Sequence, residues 1–525
     1  MRKLFQRILQ GALFCLLLTA MILSLDRALR PADAESLARR YFRFPKDTFD
    51  VVFVGSSLTM YGIQPMQLYD QYGIASYNLC SGNQPMAATY YLAREAIERD
   101  HPALLVLDCG RLFADDSKPD AASIHYMSDV MPLFSGNRFR MITDLIPREN
   151  WIEFFFPLHI YHSRWEELTP EDALPTSKES LYGSRITGYR KVSKAFKDPE
   201  YIKDTLNPSS MEALDRLIAL CRETGTGLLL LSMPVPAENV WFDQTGYDKR
   251  WSAAQDISVL AEKEGLLHLC YLGREKELGI DVERDVCDGE HLNRWGAEKL
   301  TSDLGAYLQE HFTLPDRRGS GGAYTRIEED VSLYPVQRMR YCLQSSSSLR
   351  HIANNLTQDV STEPVPDILV LMALGSRVDP EALSEKYGQR LTGTGISTNL
   401  HDWTGHGWIA VIEDGRVVYE TSPAGPGTGW TEERSTGDGG SGSADFADSV
   451  EGTAGPLHYQ ITSGKSDGDG QKVSDGISIT VNGLGYALPG GGLQIAVFNK
   501  ATGELLDSCR IDTGSSELSC MHDIR

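Results

Sequence analysis

Positive charge is scarce in this chain and nowhere concentrated. Lys and Arg number 50 against 72 Asp and Glu, a net charge of −22 over 525 residues, and no basic stripe is visible. Nucleic-acid phosphates require clustered Lys and Arg, so a nucleic-acid partner is excluded. The nine cysteines include no CxxC and no Cys/His cluster at zinc spacing. His159 and His162 are close in sequence but lack a matching carboxylate arrangement, so neither a metal nor another cofactor is expected. Cys509 and Cys520 could pair in an oxidising compartment, although single buried thiols account for most of the nine equally well. No internal repeat is present. What remains is ordinary globular material, 41% hydrophobic and long enough for two or more domains.

The N-terminus carries a stronger signal. Arg2, Lys3 and Arg7 precede an uncharged run over residues 8–25, broken only by Gln10, Thr19 and Ser24. A membrane span needs roughly 17–25 such residues. Basic residues stay cytoplasmic, which puts the chain after Asp26 outside the cell. A cleaved signal peptide is the rival reading, with Ala32-Asp-Ala34 as the cleavage site. The length of the run and its distance from that site favour an uncleaved single-pass anchor over residues 1–34.

From Asp50 onward, short apolar runs alternate with amphipathic stretches. Strands are expected at 51–54, 75–79, 103–107, 227–232 and 266–271, with helices at 87–98, 211–224, 252–264 and 296–311. Alternating β and α elements imply an α/β domain, here 45–313, with a parallel sheet covered on both faces. Residues 113–208 are aromatic-rich and irregular, and read as an insertion forming a lid or substrate wall. Arg317-Arg-Gly-Ser-Gly-Gly322 marks a linker over 314–330. Beyond it, 331–525 reads as a smaller α+β domain. Its expected elements are a strand at 368–373, a helix at 380–387, a hairpin turning at Asp414-Gly415, and strands at 477–481, 493–499 and 504–511. Two Gly/Ser/Asp-rich stretches, 423–455 and 463–476, are expected to be disordered.

The run Val51-Val-Phe-Val-Gly-Ser-Ser57 ends abruptly on small hydroxyl residues. One reading is a serine that caps the next helix. The other is a nucleophile at the carboxyl end of a parallel strand, where open α/β sheets place their chemistry. Serine needs a base to remove its proton, and the base needs a carboxylate to orient it. Asp288-Gly-Glu-His291 offers that pair after the last expected strand of the domain. A solvated acidic loop with a helix-capping histidine is the plainer alternative.

Taken together, Gly55-Ser56-Ser57, Asn78-Leu-Cys-Ser-Gly-Asn-Gln84 and Asp288-x-x-His291-Leu-Asn-x-x-Gly-Ala297 resemble the SGNH/GDSL hydrolases over roughly residues 50–312. The resemblance is greatest to their membrane-anchored extracytoplasmic branch, which includes the D-alanyl-transfer protein of teichoic acid synthesis and alginate acetylation proteins. It implies Ser57 as nucleophile, His291 as general base, Asp288 as its orienting carboxylate, and an oxyanion hole from the amides of Ser57 and Gly82. The third family block normally supplies an asparagine, and here it reads Gly110-Arg-Leu-Phe113. Asn83, Gln84 and Arg111 are the substitutes, with Gln84 favoured as donor and Arg111 as a substrate-positioning group. The function implied is an O-acyl esterase or acyltransferase on cell-envelope glycans, served by an integral-membrane acyl-donor partner if it is a transferase. A non-catalytic glycan-binding protein is the alternative. Residues 477–483 and 490–513, with 367–373 and 408–420, resemble the interleukin-like EMT-inducer (GG) domain in permuted order. That resemblance implies glycan binding, and a structural cap or dimerisation module is the plainer alternative.

Overall fold

The computed structural model describes residues 2–29, 38–115, 121–166, 168, 181–188, 194–239, 242–356, 367–375, 394–398, 400, 407–421, 448–463, 477–512 and 520–522. The candidate cleavage site at 32–34, the expected helix at 380–387 and most of the two Gly/Ser/Asp-rich stretches lie outside them. The chain divides into two compact units. The first comprises Met1–Arg185 and Arg190–Ser332, the second Ile186–Tyr189 and Leu333–Arg525.

The first unit begins with one long apolar helix, α1 (Arg2–Leu29). Its sheet is five-stranded and wholly parallel: β1 (Val51–Gly55), β2 (Ser76–Cys80), β3 (Leu104–Asp108), β4 (Gly227–Ser232) and β5 (Leu267–Cys270), in the order β2-β1-β3-β4-β5. Parallel strands need crossovers, and helices supply them: α2 (Ser57–Gly62), α3 (Pro65–Tyr72), α4 (Met86–Asp100), α5 to α8 within the insertion, α9 (Pro208–Thr224), α10 (Gln244–Glu264) and α11 (Arg294–His311). The insertion helices are α5 (Ala121–Val130), α6 (Gly136–Leu145), α7 (Trp151–Phe155) and α8 (Leu158–Tyr161). Side chains alternate across a strand. Val51, Phe53, Leu104, Val106, Leu229 and Leu231 therefore share one core with α2, α3, α10 and α11. On the other face, α4 lies on β1, α9 lies on β4, and the two helices pack together. Strands buried on both faces read as continuous apolar runs rather than as alternation. Helix ends follow local chemistry: Asn207, Asp243 and Asn293 cap α9, α10 and α11, and Gly225 and Gly265 end the first two in the left-handed conformation.

The second unit is antiparallel in both of its sheets. A six-stranded sheet runs β15-β14-β13-β6-β7-β8, and a four-stranded one runs β12-β11-β10-β9. These strands are β6 (Ile368–Leu374), β7 (Trp408–Glu413), β8 (Arg416–Glu420), β9 (Asp448–Ala454), β10 (Leu457–Ser463), β11 (Ser478–Val481), β12 (Leu484–Gly485), β13 (Leu493–Asn499), β14 (Leu505–Ile511) and β15 (Cys520–His522). One side of β6 and β13 packs on α12 (Ala323–Gln344) and α13 (Leu349–Leu356). The other side packs on the smaller sheet through Leu457, Tyr459 and Ile461. The hairpin turns at Asp414-Gly415, both at positive φ.

Three expectations need correcting. Residues 323–330, read as linker, are the first turns of α12, because the glycines stop at Gly322 and Ile327 then finds a buried site. Part of the Gly/Ser-rich stretch, Asp448–Ala454, is a strand paired with β10. The antiparallel register sets His522 opposite Cys509 and Cys520 opposite Ile511, so the two cysteines are not directly opposed.

Candidate active site

Parallel register brings the carboxyl ends of β1, β2 and β3 to one level. Gly55 pairs with Cys80, Val54 pairs with Leu107, and the Ser81 amide donates to the Gly55 carbonyl at 3.3 Å. Ser57 and Gly82 thus follow adjacent strand ends at matching positions. Gly55 is required by closeness: a Cβ there would lie 2.3 Å from the Asp108 Cβ. Ser56 caps α2, accepting from the Leu58 amide at 3.3 Å, which leaves Ser57 as the first residue of the helix. The capping reading therefore holds for Ser56, and Ser57 is left free of that role.

Below this turn sits Asp108, 2% exposed, at the end of β3. Its Oδ2 accepts from the Ser56 hydroxyl at 2.6 Å and the Ser56 amide at 3.2 Å, and its Oδ1 accepts from the Gly110 amide at 2.8 Å. One buried carboxylate thus holds both the serine turn and the turn that carries Arg111.

The histidine arrives on a loop between β5 and α11. The Val286–Leu292 bridge closes that loop, and the Ala237 amide, donating to the Gly289 carbonyl at 3.0 Å, ties it to the segment after β4. Ser57 Oγ lies 2.7 Å from His291 Nε2, and His291 Nδ1 lies 2.8 Å from Asp288 Oδ2. An ionised carboxylate only accepts, so Nδ1 carries the proton and Nε2 is left to accept from the serine hydroxyl. Asp288 Oδ1 also accepts from the amides of His291 at 2.8 Å and Glu290 at 3.1 Å. Burial alone would push the Asp288 carboxyl up. The His291 side chain and these amides outweigh it and hold the carboxyl below its ordinary value. The Tyr61 ring lies 4.7 Å from the imidazole.

Among the described residues, neither the Ser57 nor the Gly82 amide donates to a protein acceptor, and a Cβ on Gly82 would meet nothing within 4 Å. Two amide donors beside open space can receive a developing oxyanion. Asn83 is exposed, with φ at 50°. Gln84 is 1% exposed, and its amide group donates to Thr89 at 3.1 Å while its carbonyl accepts from Ser81 at 3.3 Å. That geometry makes Gln84 a buttress of the turn rather than a donor that reaches substrate. Arg111 is half-buried.

Sequence reasoning missed Asp108 and Arg250, and offered Glu290 only as a partial stand-in for Asp288. An acidic residue ending the apolar run Leu104–Asp108 was a usable signal for the first. Nothing in the α10 pattern marks Arg250. It is 8% exposed, with its guanidinium 4.4 Å from the Phe242 ring and 5.5 Å from Phe113. Its Nη1 pairs with Glu290 Oε1 at 3.2 Å, while its Nε meets no acceptor among the described residues. Burial lowers its pKa against the pull of Glu290 and Asp108, and Arg111 is near enough to lower it further. Glu290 also accepts from Asn239 at 3.4 Å, so its carboxylate is committed away from the imidazole.

No family model and no curated protein matches the chain. Solved structures align with about half of it. A protein described as an acylhydrolase from Bacteroides fragilis is 12% identical, covering 52% of this chain and 94% of its own, with a TM-score of 0.28. One described as a platelet activating factor from Streptococcus pneumonia is 12% identical, covering 57% and 99%, with a TM-score of 0.28. A GDSL-like lipase from Parabacteroides merdae is 14% identical, covering 49% and 94%, with a TM-score of 0.23. At such scores the chemistry of the site rests on its own geometry.

Proposed function

We propose that the protein is a serine-dependent O-acyl esterase or acyltransferase acting on cell-envelope glycans at the outer face of the membrane. The observation that carries this reading is the hydrogen-bonded chain Ser57 Oγ–His291 Nε2–Asp288 at the carboxyl end of a parallel sheet. In the acylation step, His291 Nε2 takes the serine proton as Oγ attacks the ester carbonyl carbon. The carbonyl electrons move onto oxygen, facing the Ser57 and Gly82 amides. Collapse expels the alcohol oxygen, which takes the proton back from Nε2 and leaves an acyl-serine. Water or a sugar hydroxyl then attacks that ester, again giving its proton to Nε2, and collapse expels Ser57 Oγ, which takes that proton and regenerates the hydroxyl. Esterase and transferase differ only in this second nucleophile. An extracytoplasmic site is supported by the apolar helix near the N-terminus with basic residues before it. Arg111, with Arg250 behind it, suits an acceptor bearing phosphate or carboxylate.

The test is labelling with a fluorophosphonate probe, which reacts only with an activated serine. The full chain should label and Ser57→Ala should not. Absence of labelling in the unaltered chain would refute catalysis and leave a glycan-binding role for the same fold.

A further inference from the structure

The apolar helix and the aromatic insertion meet at one end. Residues Phe5–Asp26 of α1 are long and apolar enough to cross a membrane, and their large side chains are exposed. The last turns of α1 do not stand clear of the protein. Ile22 and Asp26 help line a cavity of about 440 Å³ with Leu133, Phe155, Phe156 and Leu158. Arg164, on the 3₁₀ turn His162–Glu166, donates to the Leu29 carbonyl at 2.7 Å. A bilayer's hydrocarbon is about 30 Å thick, with a headgroup layer of several ångströms on either side. Where residues 5–26 span, the turn at Asp26 lies at the boundary. Whatever packs on Ile22, Asp26 and Leu29 is then carried to the same depth.

The side chains at that depth suit it. Phe134, Phe139, Ile152, Phe156 and Trp165 are between 56% and 78% exposed. Among the described residues, most of the large apolar side chains that the first unit exposes outside α1 lie between Tyr126 and Leu168. The rest, Tyr201, Val259 and Leu267, are scattered over other elements. Single exposed apolar residues are normal on a protein in water, whereas a gathered set marks an interaction surface. Phe139 stacks on Phe155 at 5.2 Å, Trp151 meets Phe155 edge-on at 6.1 Å, and the Arg148 guanidinium lies 5.8 Å from the Trp151 ring. Aromatic rings beside a cation are the composition of a membrane–water interface.

We propose that the face built from α6, α7, α8 and the 3₁₀ turn His162–Glu166 docks into the lipid interface beside α1. The first unit is then held against the bilayer by an aromatic platform as well as tethered by a helix. The proposal rests on the reading of α1 as an uncleaved anchor, and the test separates the two.

The full chain carrying Cys15→Ser, which removes the exposed thiol of α1, is given one new cysteine at a time: Phe134→Cys, Phe156→Cys, Trp165→Cys, Leu17→Cys within the helix, or Val259→Cys on α10. Each variant is labelled with an environment-sensitive fluorophore and reconstituted into phosphatidylcholine–phosphatidylglycerol vesicles with and without brominated acyl chains. The Cys15→Ser parent, labelled in parallel, sets the background. Labels at 17, 134, 156 and 165 should each lose about half of their emission to the brominated lipid, and the label at 259 should lose none. Quenching at 17 with none at 134, 156 and 165 would overturn the platform while the anchor stands, as expected of a face built for a protein partner. No quenching at 17 would overturn the anchor and the docking together.

Discussion

At the scale of single residues, the site depends on which oxygen each donor has already used. Glu290 neighbours His291 and carries the right charge to replace Asp288, but its oxygens are held by Arg250 and Asn239. Asp288→Asn should therefore be unrescued, lowering kcat on a small aryl acetate by about 10³–10⁴-fold with the fold intact by circular dichroism. A loss under tenfold would contradict the orienting role. Asp108 touches no reacting atom, yet its three hydrogen bonds place Ser57. An asparagine there keeps one acceptor and turns an NH₂ group toward a donor. Asp108→Asn should cost about 1–3 kcal/mol in denaturant unfolding and lower kcat more than it raises KM. Unchanged kcat at equal stability would remove its positioning role. Arg111 and Gln84 separate by substrate. Arg111→Ala should raise KM for an acyl ester on a phosphate- or carboxylate-bearing carrier but not for a neutral aryl ester. Gln84→Ala should affect both esters alike, by loosening the turn. A KM rise with the neutral ester as large as with the anionic one would refute charge recognition by Arg111.

Elements formed where local chemistry and tertiary packing agreed, and those were the ones legible in sequence. Strands β1, β3 and β4 are apolar runs ended by small or polar residues, and Asp414-Gly415 has the turn chemistry that its hairpin needs. The serine turn and the Asp288–His291 loop were legible because each pairs a residue type with a strand or helix boundary. Asp108 and Arg250 were not, since their roles arise from partners 40 or more residues away in sequence. Strand β9 was obscured by Gly452 and by its polar composition. Its partner β10 shows alternate burial at Leu457, Tyr459, Ile461 and Ser463, a period-two signal that the glycine-rich surroundings outweighed. At β5 the packing has a measurable consequence. His268 is held between Ser232 at 2.9 Å and Ser258 at 2.8 Å, and burial pushes its pKa down to about 4. The folded value lies below the unfolded one, so as pH falls from about 6.5 towards 4 the unfolded chain takes up a proton that the native chain refuses. Stability should fall by about 2–3 kcal/mol between pH 7 and 4.5 from this group. His268→Gln, which cannot titrate, should reduce the difference between urea midpoints at those two pH values. An equal difference in both proteins would assign the acid sensitivity elsewhere.

The whole molecule is a long apolar helix followed by two folded units, and on the reading of that helix as an anchor its orientation would follow from the sign of a few charges. Arg2, Lys3 and Arg7 lie before the apolar run, and moving them across a membrane would cost more than leaving them in the cytoplasm. The Ser57–His291–Asp288 constellation would then face the envelope, where a net charge of −22 would favour solubility of the exposed bulk. The full chain should remain with membranes after alkaline carbonate extraction. Protease added outside wall-stripped but intact cells should digest the folded units while sparing an epitope tag placed before Arg2. Cleavage behind the helix would produce a different result, because a chain beginning near Glu35 would appear in the soluble fraction. Replacing Arg2, Lys3 and Arg7 together by Gln sharpens the test. If these charges set orientation, the tag should become partly accessible from outside and labelling by an impermeant fluorophosphonate should fall by the same fraction. Unaltered accessibility of both would show that something other than these three residues decides which side of the membrane Ser57 occupies.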